Sequence, residues 1–352
     1  MFHIAGHQIG GGARPFIIAE VSANHNGSIG NAIKTITEAK RQGAHAVKIQ
    51  SYTPDTMTID SERDDFLVKK GPWKGERLYE LYKRAQTPFE WHSRLFDHAR
   101  NIGITLFSTP FDETALELLQ SLDAPAIKIA SFEMTDLDLV GQAARSGKPL
   151  LISTGMANQE EIAETVETVR VNGCKDLLLF HCVSSYPAPT EQSNLRLISS
   201  LKRDFAVEVG LSDHTIGTTA SIAAVSLGAV AIEKHFILNR SIGGPDAHFS
   251  MEPDELRELA DETDRAWQSL GTGAYQRSEA EEDSTVFRRS LYFVRDIKKH
   301  SKISAEDVRK IRPGYGLPPK MLPFVLGSIT TRNIEAGEAV QLKDFIPCNH
   351  NN

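Results

Sequence analysis

Leu150-Leu-Ile-Ser-Thr154 is followed by Gln159-Glu-Glu-Ile-Ala-Glu-Thr-Val-Glu-Thr-Val-Arg-Val171, then by Gly173 and Leu177-Leu-Leu-Phe-His-Cys-Val183. The two outer segments are continuous apolar runs, as strands are when both faces of a parallel sheet are covered. The middle segment is amphipathic at helical spacing, and Gly173 is placed to stop it before the next strand. This is one β–α–β unit, and its pattern extends in both directions. Upstream lie β-like runs at Phe16–Glu20, Ala46–Gln50, Thr105–Thr109 and Ala126–Ser131; downstream lie Val207–Ser212 and Ala229–Phe236. Helical patterns such as Asn31–Arg41, Thr114–Ser121 and Thr218–Leu227 separate them, with Gly43, Gly103, Gly147 and Gly228 at helix ends. Such a count between Phe16 and about Leu270 predicts an α/β fold of the (β/α)8 TIM-barrel type. A doubly wound open sheet is the alternative, but no Gly-rich dinucleotide fingerprint follows the first run.

Four segments follow from this reading. Residues 1–15 form an N-terminal hairpin, Met1–Ile9 with Gly10-Gly11-Gly12, expected to cap the bottom of the barrel. Residues 16–273 are the catalytic barrel. Within it, Ser51–Lys70 is a long polar loop where a short one is the norm, and such loops are usually functional. Residues 274–288 read as a linker, because Arg277-Ser-Glu-Ala-Glu-Glu-Asp283 is acidic and lacks a hydrophobic period. Residues 289–352 form a small β-rich module with an internal repeat, in which Arg295-Asp-Ile297…Ile303-Ser-Ala-Glu-Asp307 is echoed by Arg332-Asn-Ile334…Val340-Gln-Leu-Lys-Asp344. So small a module is expected to lean on docking or oligomerisation.

Composition excludes several function classes. The 352 residues are 40% hydrophobic and 24% charged, an ordinary globular balance. No apolar run reaches the length needed to span a bilayer, and Met1–Pro15 lacks the basic and apolar regions of a signal peptide. Cys174, Cys182 and Cys348 have no metal-type spacing and fit a reducing cytoplasm. A net charge of −7 without a basic run argues against nucleic acid, so an anionic substrate would need a local basic pocket.

In a (β/α)8 barrel, catalytic groups gather at the C-terminal ends of the strands. Those ends carry, in order, Glu20; Lys48 and Gln50; Thr109; Lys128 and Ser131; Ser153; Ser184 and Tyr186; Ser212-Asp213-His214; and Glu233-Lys-His235. A polar group ending nearly every apolar run is hard to reconcile with a barrel that only packs. His214 and His235, at the ends of neighbouring strands beside Asp213 and Glu233, could together hold a divalent metal. Alternatively, each caps a strand by hydrogen bonding. Lys48 and Lys128 interrupt apolar runs, where an unpaired charge is costly, so the site is expected to hold an anion. With Ser131, Ser153, Ser184 and Ser212 as neutral donors, the pair suits a phosphate and a carboxylate. A Schiff-base aldolase, using one lysine as nucleophile, is the rival chemistry. Glu20 either serves sugar hydroxyls or water, or pairs with one of the lysines.

At these residues the chain resembles the sialic acid synthase family. The likeness is carried by Ile18-Ala-Glu-Val-Ser-Ala-Asn-His-Asn-Gly27, Phe107-Ser-Thr-Pro-Phe111, Tyr186-Pro, Gly210-Leu-Ser-Asp-His-Thr215, Glu233-Lys-His-Phe236 and Gly244-Pro-Asp246. The C-terminal module, with Arg312-Pro-Gly314, resembles the antifreeze-like (SAF) domain of β-clip fold. The resemblance implies a barrel followed by a SAF domain that swaps across a homodimer, and an enzyme that condenses phosphoenolpyruvate with an open-chain amino sugar. It implies a divalent ion, usually Mn²⁺, on His214 and His235, and phosphate and carboxylate contacts from Lys48, Thr109, Lys128, Ser131, Ser153 and Ser212. It assigns Glu20 and Asp246 to the reaction and to sugar hydroxyls, and Gln50 and Tyr186 to the sugar. Arg312 is expected to reach into the partner's site. Ser184 stands where N-acetylneuraminate synthases typically carry Asn, which argues against a mannosamine-type sugar.

The segment after the second run, Gln50-Ser-Tyr-Thr-Pro-Asp-Thr-Met-Thr58, Gly71-Pro-Trp-Lys74 and Thr87-Pro-Phe-Glu-Trp-His92, is similar to a particular branch of that family. Its sugar is a 2,4-diacetamido-2,4,6-trideoxy-altrose, and Phe66, Trp73 and Leu78 are candidates to face the 6-methyl group. N-acetylneuraminate and legionaminate synthesis are the alternatives within the family. A non-enzymatic carbohydrate- or ice-binding role would not call for converging His, Lys and Ser groups.

Overall fold

The computed structural model describes residues 1–348. The chain divides into two compact units, Met1–Gly271 and Thr272–Asn352. The last four positions expected in the C-terminal module, 349–352, lie outside the described residues.

In the first unit, β1 (Phe2–Ile4) and β2 (His7–Ile9) form an antiparallel hairpin. Eight parallel strands then close a barrel: β3 (Phe16–Glu20), β4 (Ala46–Ser51), β5 (Thr105–Pro110), β6 (Ile127–Ile129), β7 (Leu150–Ser153), β8 (Leu177–Cys182), β9 (Glu208–Ser212) and β10 (Ala231–His235). Each pairs with its sequence neighbour, and β10 returns to β3. Strand β6 is shorter than expected, so Ser131 falls in the turn that follows it. The helix Gln159–Val171 begins where its sequence dictates: the Asn158 side chain accepts from Glu161 N at 2.9 Å, while Glu161 accepts from Asn158 N at 2.8 Å.

The period of two along each strand decides what the barrel does. Ile17, Val47, Leu106, Ile127, Ile152, Leu179, Val209 and Ile232 face outward, into the layer between strands and helices. Phe16, Ile18, Ala46, Phe107, Leu151, Leu178, Phe180 and Ala231 face inward and pack into a lower core with Phe2, Ile4 and Ile9. The hairpin therefore closes one end of the barrel with three buried apolar side chains. Two residues further along the same inward rows, the polarity reverses, giving Glu20, Lys48, Thr109, Lys128, Ser153, Cys182, Ser212 and Glu233. One period thus builds an apolar base and a polar mouth.

Gly210 shows how tightly the base is filled. A Cβ there would lie 2.7 Å from Ala231 O and 2.7 Å from the Phe180 ring, so only a hydrogen fits.

The segment after β4 is not the bare loop expected. Thr53 caps a short helix, Pro54–Met57, and Asp64–Phe66 is a 3-10 turn. Val68 N donates to Glu76 O at 2.9 Å, and Gly75 N to Val68 O at 2.8 Å, closing a small hairpin-like loop. Helices Leu78–Ala85 and Phe89–Ile102 follow, the latter returning the chain to β5.

In the second unit, the acidic stretch expected as a plain linker contains a Ser278-capped turn of helix, Glu279–Glu282, and a 3-10 turn, Asp283–Phe287. The Ser278–Glu281 capping box supplies the local order that no hydrophobic period could. Beyond it, β11 (Ser290–Phe293) pairs with β12 (Val308–Ile311), and β13 (Ile329–Thr330) with β14 (Phe345–Ile346). The sequence repeat is a structural repeat. Equivalent residues Ile297 and Ile334 exchange backbone bonds at 3.0 and 2.9 Å, and equivalent Asp307 and Asp344 each accept a backbone N–H at 2.8 Å, from Ser304 and Gln341. Its core is small: Leu291, Phe293, Ile297, Ile303, Val308, Val325, Ile334, Val340 and Phe345.

Candidate active site

The polar mouth opens into a cavity of about 460 Å³. At its floor are two buried lysines and two buried carboxylates. Lys48 Nζ lies 3.0 Å from Glu20 Oε2 and 3.5 Å from Glu233 Oε1, and Lys128 Nζ lies 3.6 Å from the same Glu233 oxygen. Lys48 also donates to Thr109 Oγ1 at 3.2 Å, and Lys128 to Ser153 Oγ at 2.7 Å. Ser212 Oγ donates to Glu233 Oε1 at 3.2 Å, and Gln50 Nε2 to Glu20 Oε1 at 3.3 Å. Two lysines thus face two carboxylates; Glu20 Oε2 meets only Lys48, as an ion pair, and Glu233 Oε2 has no hydrogen-bond partner within the protein.

Electrostatics separates the members. Burial pushes the Glu20 carboxyl up; Lys48 pulls against it and Glu233 adds to it, leaving it at about 7. Burial also works against ionised Glu233, but Lys128 and Lys48 hold it below the ordinary carboxylate value. For Lys48, burial is outweighed by Glu20 and Glu233, whereas for Lys128 burial dominates and lowers its pKa.

Beside this floor stand His214 and His235, ring centroids 5.5 Å apart. His214 Nδ1 donates to Val183 O at 2.9 Å, which leaves the Nε2 lone pair unused. His235 Nδ1 is buried with no hydrogen-bond partner, 3.8 Å from Asp246 Oδ2. Burial, reinforced by His214, keeps His235 neutral by lowering its pKa well below the ordinary value. Burial works against a charged His214, but Cys182, the Val183 carbonyl and Glu233 together raise its pKa, so of the two rings only His235 is held neutral. Two imidazoles on one cavity wall, with His214 giving up its proton as a cation binds, are a donor set that fits a divalent cation. Among the described residues no group of three or more His, Cys, Asp or Glu converges as a complete metal cage, so the remaining positions would fall to water or substrate.

A third wall is aromatic and apolar. Tyr186 packs 4.3 Å from the His214 ring and 5.3 Å from Phe249. Tyr52, Met57, Val68, Trp73, Leu78 and Tyr82 complete it. Trp73 Nε1 donates to Pro245 O at 3.0 Å, so the segment after β4 is tied across the mouth.

Known proteins resemble this chain in sequence and fold. The NeuB family pattern matches residues 35–275, and the SAF domain pattern matches 288–346. The chain belongs to the NeuB family. It is 46% identical over 330 residues to the pseudaminic acid synthase of Campylobacter jejuni subsp. jejuni serotype O:23/36, covering 94% of this chain and 96% of that protein. It is 37% identical to the N,N'-diacetyllegionaminic acid synthase of Legionella pneumophila, covering 92% of each. Among solved structures, the N-acetylneuraminic acid synthetase of Leptospira borgpetersenii serovar Hardjo-bovis superposes with a TM-score of 0.73 at 32% identity, over 80% of this chain and 94% of that one.

For this NeuB-family chain, the cavity collects Glu20, Lys48, Gln50, Lys128, Ser131, Ser153, Tyr186, Ser212, His214, His235 and Asp246. Thr109 stands behind Lys48 rather than on the cavity wall. Ser184 is also set back, its Oγ lying 3.8 Å from Cys182 Sγ and turned toward Gly155. Asp213, expected at the rim beside the histidines, points the other way, because strand alternation turns it outward onto Lys234 at 3.0 Å. Arg312 belongs to the second unit, where it is exposed just after β12. Of the apolar candidates, Trp73 and Leu78 line the cavity and Phe66 does not.

Several lining residues escaped the sequence reading. Glu133, raised to about 7 by burial, has an unpartnered Oε2 in the wall. Its signal was its place two residues past Ser131, in the same strand-end turn. Cys182 is an inward residue of β8, a place that the spacing of the three cysteines does not reveal. Tyr52 and Tyr82 gave no signal, because their approach depends on how the inserted segment folds back.

Proposed function

We propose that this enzyme condenses phosphoenolpyruvate with 2,4-diacetamido-2,4,6-trideoxy-altrose to give pseudaminic acid and inorganic phosphate. The observation that carries this reading is the pair of buried lysines, Lys48 and Lys128, set beside two histidines in one cavity, in a chain so close to a pseudaminic acid synthase.

Lys48 and Lys128, with Ser131, Ser153 and Ser212, bind the phosphate and carboxylate of phosphoenolpyruvate, replacing the internal ion pairs. Thr109 holds Lys48, and Ser184, set back beside Cys182, reaches the phosphoenolpyruvate only as a peripheral donor. Gln50, Tyr186 and Asp246 orient the open-chain sugar so that its aldehyde carbon meets C3 of phosphoenolpyruvate. The new C–C bond leaves cationic character at C2, which lies over Glu20 and Glu233. Water adds at C2, and the tetrahedral intermediate then loses phosphate by C–O cleavage as its hydroxyl becomes the ketone. Glu20, at about 7 and paired with Lys48 where the phosphoenolpyruvate is held, is the carboxyl assigned to take a proton from that water at neutral pH. His214 and His235 would hold a divalent ion, Mn²⁺ in this reading, which when bound acts as a Lewis acid toward the aldehyde oxygen.

Arg312 is proposed to complete the sugar site of a partner copy in a domain-swapped homodimer, which a mass measurement in solution tests. No helix among the described residues is long and apolar enough to cross a membrane. We place the reaction in the cytoplasm, where phosphoenolpyruvate is made.

The test is phosphate release from phosphoenolpyruvate with Mn²⁺, offering the altrose derivative, N-acetylmannosamine or the legionaminate precursor. Release with the altrose sugar alone, lost on chelation, is expected. Release with another sugar would keep the chemistry and discard the substrate. A rate indifferent to chelator but trapped by borohydride would replace the mechanism with a Schiff base on Lys48 or Lys128.

A further inference from the structure

His214 and His235 each follow a residue that turns away from the cavity, and these two residues meet. Asp213 and Lys234 lie 3.0 Å apart in the layer between strands and helices, 3% and 2% exposed. Lys234 Nζ also donates to Thr215 O at 2.7 Å and Gly217 O at 2.9 Å, so all three of its hydrogens are used. Asp213 Oδ2 accepts from Ser221 Oγ at 2.6 Å as well, and Oδ1 from Thr215 N at 2.8 Å.

A buried ion pair is a poor device for stability alone, since well-packed apolar residues of similar volume often do as well. Its place suggests another use. The ladder between β9 and β10 pairs Ser212 with Glu233, and its last bond runs from Asp213 N to Glu233 O at 2.9 Å. His214 lies one residue beyond. There its carbonyl accepts from Ala188 N, and the residue after His235 donates to Glu20 O. The strand ends bearing the two imidazoles have thus parted from each other. Lys234 spans the gap, holding three residues of the 213–217 turn from the strand that carries His235.

We infer that Asp213 and Lys234 are positioning residues, a clamp on the outer face of the barrel that fixes the separation of His214 and His235 for a divalent cation. This rests on the metal reading above. The clamp touches neither substrate nor cation and acts only through the two histidines.

The experiment is Mn²⁺ titration of the full chain by calorimetry, for wild type, His214→Ala, and the charge-free double variant Asp213→Leu/Lys234→Met. Removing both charges avoids leaving either one buried alone. We expect His214→Ala to abolish binding. The double variant, folded by circular dichroism, should bind Mn²⁺ about 10–100-fold more weakly, the usual effect of losing support behind a metal ligand. Its turnover should recover at high Mn²⁺, because the ligands themselves remain. Wild-type affinity in the folded double variant overturns the clamp while leaving the metal site standing. Binding that is unchanged in His214→Ala, or absent from wild type, overturns the metal reading and the clamp with it. Should the double variant not fold, Ser221→Ala removes one bond to Asp213 and is expected to weaken Mn²⁺ binding several-fold. Unchanged affinity there overturns the clamp equally.

Discussion

Glu20 and Lys48 face each other 3.0 Å apart across paired strands β3 and β4, both at least nine-tenths buried. Their contact is half of a larger balance, since Lys48 also serves Glu233, which Lys128 shares. Lys48→Met therefore does two things at once. It leaves Glu20 without its cation, a loss of about 3–5 kcal/mol for a broken buried pair, and it removes the cation proposed to hold the substrate's anionic groups. Glu20→Gln/Lys48→Met separates the two effects. Thermal melts should show most of the stability restored in the double variant, while phosphoenolpyruvate turnover stays at background. A double variant as unstable as Lys48→Met would show that the pair's charge balance is not what the fold depends on.

Acid sensitivity is expected from His25, which follows β3 and is fully buried against Thr87 and Trp91. Its Nδ1 accepts from Gly27 N at 3.1 Å, so protonation there would cost that bond, and burial lowers its pKa to about 4. The unfolded chain binds the proton near the ordinary value of 6.5 while the folded chain does not. Stability must therefore fall as pH drops from about 6.5 toward 4 and level off below, by about 3 kcal/mol for this group. His25→Asn, whose side-chain oxygen can still accept from Gly27 N, should flatten that segment of the curve. Urea melts from pH 7 to 4 measure it; parallel curves for the two proteins would rule His25 out as the cause.

At the barrel base, Gly210→Ala puts a methyl group against Phe180 and Ala231 O. Overpacking of this kind costs about 1–3 kcal/mol. Adding Phe180→Leu should return part of the loss, because the ring is one of the two obstacles and the carbonyl the other. Denaturant midpoints for the three variants decide it, and a neutral Gly210→Ala would mean the base is looser than its contacts imply.

The barrel was legible because its signal is the alternation of apolar runs with amphipathic helices, which survives without any tertiary contact. So were Lys48, Lys128, His214 and His235, each a polar residue ending an apolar run. The direction of each side chain was legible only in part. Asp213 stands beside His214 in sequence, yet strand alternation sends it to the opposite face, onto Lys234. Glu133 offers only its place in the strand-end turn after Ser131, and Tyr52 and Tyr82 are not legible, since their approach depends on where an insertion settles. Nor could spacing show that Trp73 would find Pro245, 172 residues away.

That last contact makes a prediction of its own. Trp73 is half-buried, bonds Pro245 O beside Asp246, and stands 5.7 Å from the Tyr186 ring. It thus joins the inserted segment to the wall assigned to the sugar, while the lysines lie on other strands. Trp73→Phe keeps an aromatic ring but removes the N–H, at a net cost of about 1 kcal/mol for one hydrogen bond. If the segment serves the sugar, KM for the sugar should rise about fivefold while KM for phosphoenolpyruvate stays put, the converse of what Lys128→Met should give. Limited proteolysis should also cut residues 51–77 faster in the variant, because the tie across the mouth is gone. Equal rises in both KM values would mean that Trp73 holds the whole cavity rather than its sugar wall.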